Sequence, residues 1–219
     1  IVLMSAFLLL SAFSCGGGNK ANSTSEQSEE TAVNVPQFDA DSAYLYVKNQ
    51  VDFGPRVPNT KEHVACGNYL AGQLEAFGAQ VTNQYADLIA YDGTLLKARN
   101  IIGSYKPESK KRIALFAHWD TRPWADNDPD EKNHNTPILG ANDGASGVGA
   151  LLEIARLVNQ QQPELGIDII LLDAEDYGAP QFYTGQHKEE FWCLGSQYWA
   201  RNPHVQGYNA RFGILLDMV

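Results

Sequence analysis

The stretch GIDIILLDAEDYG, residues 166–178, joins a continuous apolar run to two adjacent acids, Glu175 and Asp176. A strand that is apolar at every position is typical of a parallel sheet that helices cover on both faces. Two neighbouring carboxylates repel each other and are costly to bury without a counter-charge. The stretch therefore predicts a buried strand that ends on a polar site.

Two further apolar runs have the same character: RIALFAH at 112–118 and FGILLDMV at 212–219. Helical patterns lie between the three runs, over residues 145–159 and near residues 194–201. Strand, helix, strand, helix, strand is the alternation expected of an open α/β sheet. We expect all three strands to be buried.

The residues before this alternation predict two helices and a hairpin. Residues 39–51 and 58–77 have helical periodicity, with polar residues suited to cap each start. Residues 79–88 and 95–105 read as strands that pair around the turn Asp92-Gly93. The globular part of the chain is thus expected over residues 38–219.

Polar side chains follow each of the three apolar strands. In open α/β sheets, ligands bind beyond the carboxyl ends of the strands. A glycine-flanked turn, residues 140–144, adds one more acid at the start of a helix. The side chains expected at this edge are His118, Asp120, Asp143, Glu175, Asp176 and Asp217. Imidazole and carboxylates are ligands that zinc accepts, so the edge predicts a zinc site.

Simpler interpretations exist for the same side chains taken singly. Asp143 is placed to cap the helix that follows it, and Asp120 to form a hydrogen-bonded core pair with His118. An acid after a strand is more often a cap or a solvated loop residue than a ligand. The joint placement at three strand ends favours the metal site, with Asp176 on the metal and Glu175 as acid and base.

Composition and motif searches exclude several other classes. The net charge of −10 and the isoelectric point near 4.9 argue against a nucleic-acid partner, which requires a basic face. The acidic loop at 126–133 lacks the glycine and the glutamate of a calcium loop. The sequence contains neither a G-x-S-x-G nor an H-E-x-x-H motif, which disfavours serine-hydrolase and thermolysin-like sites.

The N-terminal residues read as an export signal. Residues 1–15, IVLMSAFLLLSAFSC, resemble a bacterial lipoprotein signal in which Cys15 carries the lipid. An ordinary secretory signal or a truncated transmembrane anchor is the alternative. Residues 16–37 are expected to form a flexible linker. The protein is therefore predicted to be secreted, or to lie on the periplasmic side of a bacterial membrane. In such an oxidising compartment Cys66 and Cys193 could form a disulfide, and the sequence leaves that question open.

Four ordered motifs resemble a known family. They are H-x-D at 118–120, N-D-G-A-S-G at 142–147, D-x-E-D at 173–176 and L-L-D-M at 215–218. Their order resembles the zinc aminopeptidase superfamily M28, and the resemblance covers roughly residues 38–219. HWDTRP at 118–123, DAEDYG at 173–178 and WCLGS at 192–196 look most like the bacterial glutaminyl cyclases. The resemblance implies a three-layer αβα sandwich around a mixed, mostly parallel twisted sheet.

The resemblance also implies a role for each site residue. Asp143 and Asp176 match zinc ligands, and in the peptidases the residue that Asp143 matches bridges two zincs. Glu175 matches the general acid and base. Asp217 matches a catalytic aspartate in the cyclases and a ligand of the other zinc in the peptidases. His118 matches the histidine of a second metal site in the peptidases, which the cyclases retain without generally using it to bind metal, and Asp120 is grouped with it as a second ligand or a supporting residue. Trp119, Trp124 or Trp192 is predicted to form a wall of the substrate pocket. The family's third ligand is a histidine downstream of Asp217, which is expected beyond Val219 in a chain that looks truncated.

The resemblance implies a function and leaves alternatives. The leading hypothesis is cyclisation of N-terminal glutamine on peptides to pyroglutamate, with one zinc. The alternative is an aminopeptidase with one or two zincs, in which His118 and Asp217 are ligands. A third class is a surface binding lipoprotein that has lost its chemistry, against which the retained pair Glu175 and Asp176 argues.

Overall fold

The computed structural model describes residues 34–219. The predicted signal with Cys15, and most of the predicted linker, lie outside the described residues. Among residues 34–219, no helix combines the length and the apolar character needed to cross a membrane.

The described residues contain four α-helices and five strands, close to the bounds that the sequence predicts. Asp39 begins the first helix by accepting hydrogen bonds from the amides of Asp41 and Ser42, as its position predicts. Thr60 begins the second helix in the same way. The helices are α1 Ala40–Val51, α2 Lys61–Ala76, α3 Ser146–Gln160 and α4 Leu194–Arg201, and the strands are β1 Gln80–Ile89, β2 Leu95–Tyr105, β3 Arg112–His118, β4 Gly166–Leu172 and β5 Gly213–Leu215.

The five strands form one sheet in the order β1-β2-β4-β3-β5. β1 and β2 form the predicted antiparallel hairpin, and β2 also pairs antiparallel with β4. β3 pairs in parallel with β4 and with β5. The α/β architecture with a mixed sheet is confirmed. The pairings divide evenly between parallel and antiparallel, so the sheet is less parallel than expected, because the hairpin continues into the central strands.

Helices cover both faces of the central strands. Ile169 and Leu171 face the main core, to which α2 and α3 contribute, and α1 packs against α3. Ile170 and Leu172 face the opposite side, where Trp199 of α4 packs. Every residue of β4 is buried, and its one charged residue, Asp168, forms an ion pair with Arg112 of β3. The three-layer arrangement leaves the carboxyl ends of β3 and β4 side by side.

The prediction of a buried third strand is wrong for the described residues. β5 spans three residues, and Ile214 and Leu215 are 45% and 59% exposed. Within residues 34–219, β5 pairs with β3 along one edge and no strand lies on its other edge. The strand still runs parallel to β3, so Asp217 reaches the expected end of the sheet.

Candidate metal centre

The side chains predicted at the strand ends converge on the imidazole of His118. Its Nε2 atom lies 2.9 Å from an oxygen of Asp143 and 3.5 Å from an oxygen of Asp217. His118 forms one group of potential metal ligands with Asp143 and Asp176, and a second group with Glu175 and Asp217. The potential ligand atoms within each group lie within 4.8 Å of one another. The structure therefore brings these five side chains together.

The donor atoms of the first group fit a zinc ion. Both ring nitrogens of His118 and one carboxylate oxygen of Asp176 are buried without a hydrogen-bond partner among the described residues. Such orphaned atoms are rare in native proteins, and a bound ion or a water molecule is among the partners that account for them. Nε2 of His118 approaches Asp143 closely without the alignment of a hydrogen bond. Two ligands on tetrahedral zinc lie about 3.4 Å apart, so a close, unaligned pair suits a shared ion.

The electrostatics of the cluster also favour a cation. Burial raises the pKa of Asp176 to about 8, and the negative charge of Asp120 adds to the rise. Burial likewise raises the pKa of Glu175. For His118, burial lowers the pKa, but the carboxylates of Asp120 and Asp143 outweigh it and raise the pKa to about 12. A divalent cation would relieve this repulsion and keep the carboxylates ionised.

The glycine-flanked turn brings Asp143 to the imidazole. Gly140 and Gly144 have positive φ angles of 56° and 95°. A Cβ atom on Gly144 would lie 2.4 Å from the carbonyl oxygen of Asp120, so a side chain is excluded there. Asp143 does not cap α3, because the cap residue is Ala145 and it makes no side-chain bond. The helix-cap interpretation of Asp143 is therefore wrong.

The loop that carries Glu175 and Asp176 is held by hydrogen bonds on both sides of its backbone. The amides of residues 173–176 donate to side-chain oxygens of Asn100, Asp173 and Asp120. The carbonyls of residues 173–175 accept from the amides of residues 193–195, at the start of α4. A loop with all these groups paired holds its side chains in place.

Asp120 hydrogen-bonds to the backbone of this loop and not to the side chain of His118. Its two oxygens accept from the amides of Glu175 and Asp176, at 3.0 and 3.1 Å. Nδ1 of His118 lies 3.6 Å from Asp120 and has no hydrogen-bond partner in the described part of the chain. The interpretation of His118 and Asp120 as a hydrogen-bonded core pair is therefore wrong.

Arg122 links the loop to a tryptophan and was not identified from the sequence. Its guanidinium forms an ion pair with Asp126 and donates to the carbonyl oxygen of Asp176 at 3.1 Å. It also lies over the ring of Trp192, 4.9 Å from the centroid. Arg122 stands inside the quoted motif HWDTRP, which was the one signal available for it.

Arg56 and His63 were also not identified from the sequence, and no motif contains either of them. Arg56 is fully buried and donates to the carbonyl oxygens of Leu139 and Gly140, beside the turn that carries Asp143. His63 is buried against Asp173. Both contacts join residues far apart in sequence, and local patterns do not record them.

Trp119 does not line a pocket, contrary to prediction. It is fully buried, stacks on His63 at a centroid distance of 4.3 Å, and donates to the carbonyl oxygen of Arg99. The reason is strand alternation, which turns Trp119 into the core while its neighbours face the site. Trp192 is partly buried and packs over Gly178. Its role as a pocket wall stays a prediction.

The two cysteines that the structure describes are both free. Cys66 is buried on α2, and Cys193 directly precedes α4. The open question of a bridge is thus answered for this structure, in which neither thiol is paired.

Comparison with known proteins gives a consistent result. The model of peptidase family M28 matches residues 100–219. A solved glutaminyl cyclase of Bacteroides thetaiotaomicron, bound to N-acetylhistamine, is 95% identical with a TM-score of 0.84, covering 85% of this chain and 64% of that one. A Zn-dependent exopeptidase of Parabacteroides distasonis is 64% identical with a TM-score of 0.83, covering 84% and 63%. The glutaminyl cyclase of Tannerella forsythia is 60% identical with a TM-score of 0.82, covering 84% and 63%.

The chain therefore spans just under two thirds of the length of these solved relatives. The M28 match covers the whole candidate metal centre, from His118 to Asp217. Zinc is the metal that this family implies, in agreement with the donor atoms present.

Proposed function

The chain belongs to peptidase family M28, and we propose that the protein is a zinc-dependent glutaminyl-peptide cyclotransferase. It would convert N-terminal glutamine of peptides to pyroglutamate and release ammonia. The observation that carries the proposal is the division of the acids into two groups around His118. One pair of acids is available for the metal and another for proton transfer. The similarity to the two bacterial glutaminyl cyclases supports the same assignment.

Asp143 and Asp176 would hold a single zinc ion. Zinc bound there would polarise the carbonyl of the glutamine side-chain amide and stabilise negative charge on its oxygen. Asp120 keeps the loop of Asp176 in place through the backbone. The third ligand, a histidine expected beyond Val219, stays a prediction, and within residues 34–219 His118 is the imidazole within reach of both aspartates.

Glu175 would move the proton. Its carboxylate would take a proton from the attacking α-amine and deliver it to the leaving amide nitrogen. Burial raises the pKa of Glu175, which makes the ionised carboxylate a stronger base than an exposed one. Asp217 would hold the amine and the leaving group in line by hydrogen bonds. Since nucleophile and electrophile belong to one residue, much of the rate enhancement would come from enforced geometry.

An aminopeptidase is the second proposal, and the position of His118 favours it. The resemblance makes Asp143 the ligand that bridges two zincs, and Nε2 of His118 lies 2.9 Å from Asp143 and 3.5 Å from Asp217, so that a second zinc would have ligands beside the first. His118 and Asp217 would then be ligands, and Glu175 would take the proton from the attacking water. The exopeptidase of Parabacteroides distasonis is similar enough to support this alternative.

Metal content and product analysis separate the two proposals. The full-length protein would be assayed for ammonia release from a glutaminyl peptide and for amino-acid release from an aminoacyl amide. One bound zinc with ammonia release supports the cyclase. Two tightly bound zincs with amino-acid release, and no ammonia from the glutaminyl peptide, would refute the cyclase proposal.

Replacement of Glu175 by Gln tests the role of the base. We expect Glu175→Gln to abolish turnover and to leave zinc bound, because Glu175 is the proton carrier in the cyclase proposal. Glu189→Gln, at an exposed glutamate, is the matched control and should retain full activity. Surviving activity in Glu175→Gln would show that the assigned role is wrong.

We further propose that the protein is an exported lipoprotein, anchored through Cys15. The support is the composition of residues 1–15, which lie outside the described residues. Expression of the full-length protein with radiolabelled palmitate, beside a Cys15→Ser variant, tests it. Label and membrane association should both be lost in the variant. Equal labelling of both proteins would contradict the anchor.

A further inference from the structure

We propose that His63, a buried residue of α2, is a positioning residue for the reaction of the metal centre. It would hold the ends of β3 and β4 together, so that the loop with Glu175 keeps its place against His118. The inference rests on the proposed function, since Glu175 is its proton carrier. Neither the sequence motifs nor the two groups of potential ligands include His63.

On one side His63 binds the residue that follows β4. Its Nε2 atom lies 2.8 and 3.0 Å from the two carboxylate oxygens of Asp173. Asp173 is fully buried, and His63 is 3% exposed. A buried carboxylate needs its donors, and the others on Asp173 are the backbone amides of Arg99 and Ala174. His63 is thus the side-chain donor to Asp173 among the described residues.

On its face, the same imidazole packs against the end of β3. The ring stacks on Trp119 with centroids 4.3 Å apart and an angle of 14° between the planes. Trp119 is the residue between His118 and Asp120 in the chain, and it is fully buried. One side chain therefore contacts the ends of both strands that carry the site.

Asp173, held by His63, in turn holds the backbone that leads to Glu175. Its Oδ1 atom accepts from the amide of Ala174 at 2.7 Å, and Ala174 has a left-handed backbone with φ of 53°. A left-handed conformation is unfavourable for alanine and needs such support. Ala174 turns the chain from β4 toward Glu175. Loss of the His63 bond would leave the Asp173 carboxylate held by the amides of Arg99 and Ala174 alone. A displacement of about 1 Å at a reacting group can cost about 100-fold in rate.

Two substitutions separate the hydrogen bond from the packing. His63→Phe keeps the ring on Trp119 but loses the N–H donor, whereas His63→Gln keeps a donor and loses the stack. In the full-length protein, we expect His63→Phe to lower kcat on a glutaminyl peptide at least tenfold with KM within twofold. His63→Gln should recover kcat to within threefold of the wild type. Zinc content at saturating metal should stay unchanged, and His187→Phe, at an exposed histidine, should match the wild type.

A purely structural role predicts a different pattern. Both His63 variants would then lower the melting temperature while kcat per folded molecule stayed at the wild-type value, and that result would overturn the proposal. If His63→Phe does not fold, Asp173→Asn carries the test, because it weakens the same hydrogen bond at its other partner. It should reproduce the kcat loss, and combining it with His63→Gln should add little.

The proposed function can fail separately from this inference. If the wild type releases amino acids rather than ammonia, the cyclase proposal is wrong, and the same variants are compared on aminopeptidase activity. Glu175 would also be the proton carrier there, so the tenfold loss in His63→Phe and its recovery in His63→Gln are still expected. A flat response on whichever activity the wild type has would refute the role of His63.

Discussion

Replacement of Asp120 by Asn should destabilise the loop of Glu175 and Asp176 through its backbone. The buried carboxylate of Asp120 accepts from the amides of both residues, at 3.0 and 3.1 Å. An asparagine can accept one of these hydrogen bonds with its oxygen, while its NH₂ group faces the other N–H. One bond to a charged acceptor is therefore lost, at about 1.5–3 kcal/mol, and the remaining one weakens by about 1 kcal/mol.

A gain in electrostatics offsets part of this loss. The charge of Asp120 contributes to the raised pKa of Asp176, after the larger effect of burial, so its removal relieves that repulsion, although it also loses part of the attraction to His118. We expect a net decrease of about 2 kcal/mol in the free energy of unfolding, which lowers the melting temperature by about 4–8 °C in a protein of this size. The value of kcat should fall about tenfold, because a shift of Glu175 by a fraction of an ångström misaligns proton transfer.

Thermal unfolding of the full-length protein, with zinc and with chelator, measures this effect. The decrease should appear in both conditions, since the bonds are to backbone amides. Asp87→Asn, which removes an exposed ion pair to Lys97, is the control and should change the free energy by less than about 0.5 kcal/mol. A decrease seen only with zinc would make Asp120 a metal ligand. No decrease in either condition, with kcat unchanged, would refute the reasoning.

Three further substitutions, the first with a control, test packing, a buried ion pair and metal binding. Gly195→Ala places a Cβ atom 2.1 Å from the backbone carbonyl oxygen of Asp173. It should lower the free energy of unfolding in urea titration by about 1–3 kcal/mol. The control is Gly72→Ala, whose Cβ atom would have no atom within 4 Å and which should be neutral or stabilising. Burial raises the pKa of Asp168, but hydrogen bonds led by that of Arg112 outweigh it and hold the pKa below 3.8. This stabilisation is present above pH 3.8 and lost as the pH falls through the folded pKa, so thermal unfolding of Asp168→Asn should depend less on pH between about 5 and 2. Asp143→Asn should leave less than about a tenth of the zinc bound in metal analysis after gel filtration, because it removes a charged ligand; wild-type zinc content would contradict its assignment.

The elements of the fold follow largely from local sequence. Residues 166–172 form a strand buried on both faces because its side chains are apolar apart from Asp168, and the periodicity of 146–160 sets one helical stripe against the sheet. The caps Asp39 and Thr60 lie one residue before their helices, as their chemistry requires. Local pattern was insufficient for β5, because burial depends on what packs beside a strand and not on its own composition.

The sequence by itself determined which residues meet at the strand ends, because parallel strands deliver their carboxyl ends to one edge. Five of the six predicted side chains form the two groups of potential ligands around His118. The tertiary structure alone decided that Asp120 bonds to backbone amides, that Trp119 faces the core, and that His63 joins the two strand ends. Each of these depends on the rotation of a side chain toward a partner distant in the chain. The pattern of parallel strands along the chain specifies the edge of the sheet at which these side chains lie. Only the packed neighbours specify which atom each polar group contacts there.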